Sequence, residues 1–162
     1  PPRSSKERLL NKNVILVGFL WYGFLATAFA LGGYFLANFL HGWPAVPLAG
    51  EGTAVYAQAT TMMLAGVVFS QMGMVLNNRT DYESVFRRGI FSNRYINAGL
   101  VIELAILAAI MYVPFLNGVF HTAPISGLEW LYLICIPFVV FGIEEGRKKL
   151  LRWRRAKRSE VR

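Results

Sequence analysis

The chain has 162 residues, of which 55% are hydrophobic and 16% are charged, and its formal net charge is +8. Four long stretches hold almost none of that charge, which predicts a polytopic membrane protein and excludes an ordinary soluble domain. The basic residues flank the apolar stretches and do not form one folded basic face, so nucleic acid is excluded as a partner. The single cysteine, Cys135, rules out a disulfide within the chain.

Taken in chain order, the sequence predicts an all-α membrane protein with four transmembrane helices and the lipid bilayer as its surroundings. Each apolar stretch is long enough to cross a hydrocarbon core of about 30 Å. The first stretch is too long for a signal-peptide core, and because no initiator methionine is present we expect a fragment or a processed product. The predicted segments are a cytoplasmic lead at 1–13, a transmembrane domain at 14–146 with helices at 14–40, 54–76, 95–113 and 128–146, and a basic cytoplasmic tail at 147–162.

The basic residues predict the orientation of these helices. Four lie in the lead, four between the second and third helices and nine in the tail, whereas the other two connections have none. Lysine and arginine accumulate on the cytoplasmic side of membrane proteins. We therefore expect both termini to be cytoplasmic.

Two polar residues inside apolar stretches are the candidates for function. Gln71 in the second helix lies eight residues before Arg79, and Glu103 in the third lies nine residues after Arg94. At about 1.5 Å per residue, both lie roughly 12–14 Å from the basic boundary, so they can face one another. A carboxyl group in a membrane is costly and indicates function by default. The oxygen pair suits calcium or sodium, and the competing interpretation is a neutral Glu103 in a structural hydrogen bond with Gln71 or Ser70.

Several other features have structural interpretations. Pro137 is expected to kink the fourth helix, and Pro114 to end or bend the third before a loop. Glu144 and Lys148 form an i,i+4 pair that contributes a few tenths of a kcal/mol. The tail is expected to attract anionic lipid. Small residues for close helix packing recur in the first helix, at Gly18, Gly23, Gly32 and Gly33.

Five motifs, in order along the whole chain, carry a family resemblance. They are the lead PPR followed by LLN, then SQMGMVLNNRT, ESVFRRGIFSNRY, IMYVPFLNGVFHTAPISGLEW and FGIEEGRKKLLRW. In this register the chain resembles the C-terminal four membrane helices of type II P-type ATPases, the calcium, sodium/potassium and proton/potassium pumps.

The resemblance implies that the four helices are helices seven to ten of a ten-helix transport domain. The family's phosphorylated aspartate stands in an Asp-Lys-Thr-Gly-Thr motif, and this sequence has no such motif. No catalytic residue and no cofactor site is therefore expected here. Mg-ATP and a transported cation belong to the parent pump, whose other helices and cytoplasmic domains are the expected partners.

The resemblance also assigns two positions. Gln71 matches the eighth-helix position that holds a ligating glutamate in the muscle-type calcium pump and a glutamine in plasma-membrane calcium pumps and sodium/potassium pumps. Glu103 resembles the ninth-helix glutamate associated with the extra sodium site. Met74 stands where the sodium/potassium pump has an aspartate, which counts against a complete sodium site. Calcium is therefore the first expectation and sodium the second, with the plasma membrane as the expected location.

A different class of function competes with the pump. The chain is alternatively a stand-alone four-helix membrane scaffold or binding protein in which Glu103 is structural. Such a protein is expected to satisfy its polar groups internally. A small membrane enzyme is disfavoured, since no convergent catalytic set is present.

Overall fold

The computed structural model describes residues 16–78 and 92–160, and within these ranges every regular element is a helix. Four helices are long and apolar enough to cross a membrane, which confirms the predicted fold class. The lead and most of the connection between the second and third helices lie outside the described residues. The elements are a π-helical segment, Leu16–Tyr22, that continues into α1, Gly23–Leu40; then α2, Ala54–Asn77; α3, Arg94–Tyr112; α4, Pro114–Phe120; and α5, Gly127–Glu160.

Capping residues explain where the helices begin. The hydroxyl of Thr53 accepts a hydrogen bond from the backbone of Tyr56 at 3.1 Å, so α2 starts at Ala54. Asn93 accepts from the backbone nitrogens of Tyr95 and Ile96 at the start of α3. These side chains satisfy backbone donors that the first helical turn leaves free.

The core of the bundle consists of α1, α2 and α5, with α2 in the centre. The α1–α2 contact is the most extensive, and it is closest at two glycines. A Cβ on Gly66 would lie 2.8 Å from the carbonyl oxygen of Phe29, and one on Gly33 would lie 2.7 Å from that of Met62. Glycine allows this approach because it has no side chain, as in many membrane helix pairs.

The α2–α5 contact is closest around Pro137. A Cβ on Gly73 would lie 3.0 Å from the side chain of Val140 and 3.1 Å from the Cα of Pro137. α5 continues through Pro137 as one helix of 34 residues, and the kink expected at this proline stays a prediction. At 1.5 Å per residue, α5 is about 51 Å long, which exceeds the thickness of a hydrocarbon core of about 30 Å.

The stretch after α3, predicted as a loop, contains the short helix α4. Pro114 occupies its start, where the missing N–H costs nothing because it would have no helical acceptor. The helix ends at Phe120, and the cap residue His121 has a left-handed φ of 53°. Asn117 and Thr122 both donate to the carbonyl of Ile110, at 2.7 and 2.6 Å, which holds α4 against the end of α3.

α3 lies at the periphery of the bundle and has only a small contact with α2. An apolar cleft of about 850 Å³ lies between α2, α3 and α5, and a second of about 280 Å³ lies on the α2–α3 flank.

We call the end of the bundle that holds Asn77, Arg94 and Arg147 the basic end.

Candidate cation site and buried polar clusters

Glu103 lies in the smaller cleft. Its side chain is half-buried, and across the cleft Leu64 and Val68 of α2 face it. Within residues 16–78 and 92–160, no hydrogen bond or ion pair involves this carboxyl group. The group is thus held in apolar surroundings, where an unpaired charge is unfavourable.

Gln71 is exposed on α2, three residues after Val68. Residues three apart share a helix face, so Gln71 lies on the flank of α2 that borders the cleft, one turn nearer the basic end. Its side-chain amide also has no hydrogen-bond partner among the residues that the structure describes. Both candidates therefore flank the same α2–α3 groove, but no direct bond joins them.

Ser70 does not pair with Glu103. Its hydroxyl is fully buried and donates to the carbonyl of Val67 at 2.7 Å. Thr60 and Thr61 likewise donate to carbonyls four residues earlier, at 3.0 and 2.6 Å, as hydroxyls in helices commonly do. These groups are hydrogen-bonded locally, whereas Gln71 and Glu103 are side chains along the groove for which the described residues provide no hydrogen-bond partner.

The two side chains cannot complete a calcium site by themselves. Calcium takes six to eight oxygen ligands. In the described part of the chain, no three His, Cys, Asp or Glu side chains converge on a common point. Any cation held at Glu103 would therefore need most of its ligands from other helices.

Sequence reasoning missed a fully buried carboxyl group at the end of the bundle opposite the basic end. Glu129 has 0% exposure, and its Oε2 accepts from the side chain of Gln58 and from the backbone of Ser126, both at 2.6 Å. Ser126 accepts from the backbone nitrogen of Glu129 at 3.5 Å in return. The Ser-x-x-Glu spacing is the capping-box signature, and it was available in the sequence. The pair with Gln58 joins α5 to α2 and is visible only in the structure.

A second buried cluster lies at the basic end. Glu144 and Lys148, which the sequence predicts as an ordinary i,i+4 pair, are 0% and 1% exposed, so both side chains are buried. Glu144 is ion-paired with Arg147 at 2.8 Å and accepts from the indole of Trp21 at 2.5 Å. Lys148 donates to the backbone carbonyl of Asn77 at 2.8 Å and thereby caps the end of α2.

Known proteins match the chain along most of its length. Its residues 1–150 match the family described as "Cation transporting ATPase, C-terminus". The chain is 30% identical over 145 residues to "Calcium-transporting ATPase type 2C member 2" of Rattus norvegicus, which covers 90% of this chain and 14% of that protein. It is 31% identical over 159 residues to "Calcium-transporting ATPase 1" of Bacillus cereus, which covers 91% of this chain and 17% of that protein.

These matches cover a small part of each relative and coincide with the membrane helices of the structure. The chain spans 14% and 17% of the length of these two relatives. The matched residues contain three of the four helices of membrane-spanning length and most of the fourth span, Gly127–Trp153. The chain is an integral, multi-pass membrane protein and belongs to the cation transporting ATPases, of which it represents the C-terminal membrane region.

Proposed function

We propose that this chain is the C-terminal membrane region of an ATP-driven calcium pump. The observation that carries the proposal is the family match over residues 1–150, together with relatives that are named calcium-transporting ATPases. Sodium is the second candidate for the transported ion. The chain supports the transport domain, and Gln71 and Glu103 contribute to the edge of its cation-binding region.

The environment of the two candidates supports this role. An intramembrane carboxyl group without an internal partner needs a proton, a donor or a cation from elsewhere. Glu103 lies in an open groove of α2 and α3, with Gln71 on the same flank. In the proposed pump, helices from the rest of the protein cover this groove and supply the principal ligands.

The remaining parts of the pump follow from the same proposal. Mg-ATP binds to cytoplasmic domains outside this chain, and the basic end with both termini faces the cytoplasm. The other transmembrane helices of the pump and the lipid bilayer are the partners, and the plasma membrane is the proposed location. The scaffold alternative expects Glu103 to be satisfied within the chain, and the described residues offer it no hydrogen-bond partner.

Replacing Glu103 by glutamine in the full-length protein tests the role in cation binding. We expect the calcium concentration for half-maximal phosphorylation from ATP to rise several-fold, because Glu103→Gln removes a negative charge near the cation. Steady-state phosphorylation at graded calcium and sodium concentrations measures the effect and identifies the ion.

Glu129→Gln provides the matched control, since it makes the same change in a fully buried glutamate that lies away from the groove. It is expected to lower thermal stability and leave the ion dependence unchanged. If Glu103→Gln alters neither the ion dependence nor the number of ions bound, Glu103 is removed from the cation region. If neither calcium nor sodium stimulates phosphorylation of the wild type, the proposed cargo is wrong.

A further inference from the structure

The segment that leads into α1 departs from regular α-helix. Leu16–Tyr22 forms a π-helix of seven residues, which passes into α-helix at Gly23. A π-turn closes its hydrogen bond one residue further along the chain than an α-turn does, and such turns are rare and often occur at functional sites. A contact outside the segment is therefore expected to maintain it.

The carboxyl group of Glu144 provides that contact. Trp21 donates its indole N–H to Oε1 at 2.5 Å, and the hydroxyl of Tyr22 lies 3.2 Å from Oε2. In an α-helix, two consecutive side chains point in different directions and do not face one partner. Here two consecutive residues, Trp21 and Tyr22, reach the two oxygens of one carboxylate. This links the π-helical segment directly to Glu144.

Glu144 is itself held firmly by α5. Arg147 binds both of its oxygens, with its Nε at 3.0 Å from Oε2 and 3.2 Å from Oε1. One turn further along, Lys148 is bonded to the end of α2. The single proton of the Tyr22 hydroxyl is shared between Glu144 and the side-chain oxygen of Asn78, immediately after α2. The carboxyl group is thus fixed relative to α2 and α5, and the start of α1 adapts to it.

The glycines of this region suit such an adaptation. Gly18 lies within the π-helix and Gly23 directly follows it, and a Cβ at either position would meet nothing within 4 Å. The sequence suggested packing surfaces at both, but no neighbour in the described ranges requires a glycine there. Their contribution is backbone freedom, which lowers the barrier to a change of helical form.

We propose that Glu144 is a register lock that holds Leu16–Tyr22 in the π-helical form. When Trp21 and Tyr22 are released from the carboxylate, the segment returns to α-helix, because α-helical hydrogen bonds are better formed. Losing one π-turn displaces Leu16 by about one residue, or about 100° of rotation and 1.5 Å along the axis. The end of α2 and the middle of α5, where Glu144 lies, thereby set the register at which the chain enters α1.

The lock does not depend on the transported ion, so its test can fail independently of the proposed pump function. Spin labels at Leu16→Cys and at the native Cys135 report the position of Leu16 relative to α5. The labels are introduced into the full-length protein after cysteines outside residues 1–162 have been replaced. Double electron–electron resonance then measures the distance between them.

Glu144→Gln is expected to shift the most populated distance by several ångströms, since glutamine has only one acceptor oxygen and no charge for Arg147. Trp21→Phe removes a single donor, leaves Glu144 with Arg147, and is expected to give two distances. The neighbouring change Glu145→Gln serves as control and leaves the distance unchanged. If Glu144→Gln and Trp21→Phe lower the melting temperature but keep the wild-type distance, the cluster only stabilises the fold. Glu144 then does not determine the helical form of Leu16–Tyr22, and the proposal is refuted.

Discussion

Replacing Gly66 by leucine separates α1 from α2 and destabilises the protein by about 3 kcal/mol or more. The reason is that a Cβ alone would lie 2.8 Å from the carbonyl oxygen of Phe29 and 3.0 Å from the Cα of Ala30. Both are backbone atoms, which cannot move aside as the end of a flexible side chain can. The whole of α1 must therefore shift away from the centre of the bundle. Unfolding in detergent by steric trapping or by denaturant titration measures the loss.

Gly142→Ala is the matched control for this experiment. Gly142 lies inside α5, and a Cβ there would meet nothing within 4 Å. We expect a gain of roughly 0.5–1 kcal/mol from the lower backbone entropy of alanine in the unfolded chain. A Gly66→Leu protein that unfolds like the wild type would show that α1 and α2 are not in close contact.

Replacing Lys148 by methionine has the second large effect, a loss of about 1–3 kcal/mol. Methionine keeps most of the length and apolar volume of the lysine stem but has no donor. The carbonyl of Asn77, at the buried end of α2, then loses the hydrogen bond of 2.8 Å from Lys148. A buried acceptor without a partner costs its full desolvation energy.

The adjacent residue provides the comparison. Lys149 is exposed, and Lys149→Met is expected to change the free energy of unfolding by no more than about 0.5 kcal/mol. Melting temperatures of the two variants in the same detergent separate the buried from the exposed position. Equal values would mean that Lys148 does not reach α2.

The positions of the membrane helices were predictable because they depend on consecutive residues. The four helices of membrane length correspond to the four apolar stretches, and the caps at Thr53 and Asn93 follow from side chains next to the helices that they start. The back-bonding of Thr60 and Thr61 is local in the same way. The two candidates Gln71 and Glu103 were identified because a polar side chain inside an apolar membrane stretch is energetically costly. That cost depends only on the residues around each of them in the sequence.

The partners of the buried charges were not predictable in this way. Glu144 meets Trp21 at a separation of 123 residues, and Glu129 meets Gln58 at a separation of 71. Nothing in the composition of the Glu144–Lys148 region distinguishes a buried pair from a solvated one. The outcome depends on the neighbouring helix ends that lie against that turn of α5.

The sequence by itself determined that the chain has four helices of membrane-spanning length and which polar groups are unusual within them. Hydropathy and capping act over a few residues, so they can be read along the chain. Only the tertiary structure decided that α2 is the centre, that Gly66 and Gly73 are contact points, and that Gly33 but not Gly18 or Gly23 lies against a neighbouring helix. It also decided that α3 stays at the periphery with Glu103. These features result from close packing between distant segments, where the absence of one side chain decides how near two helices approach.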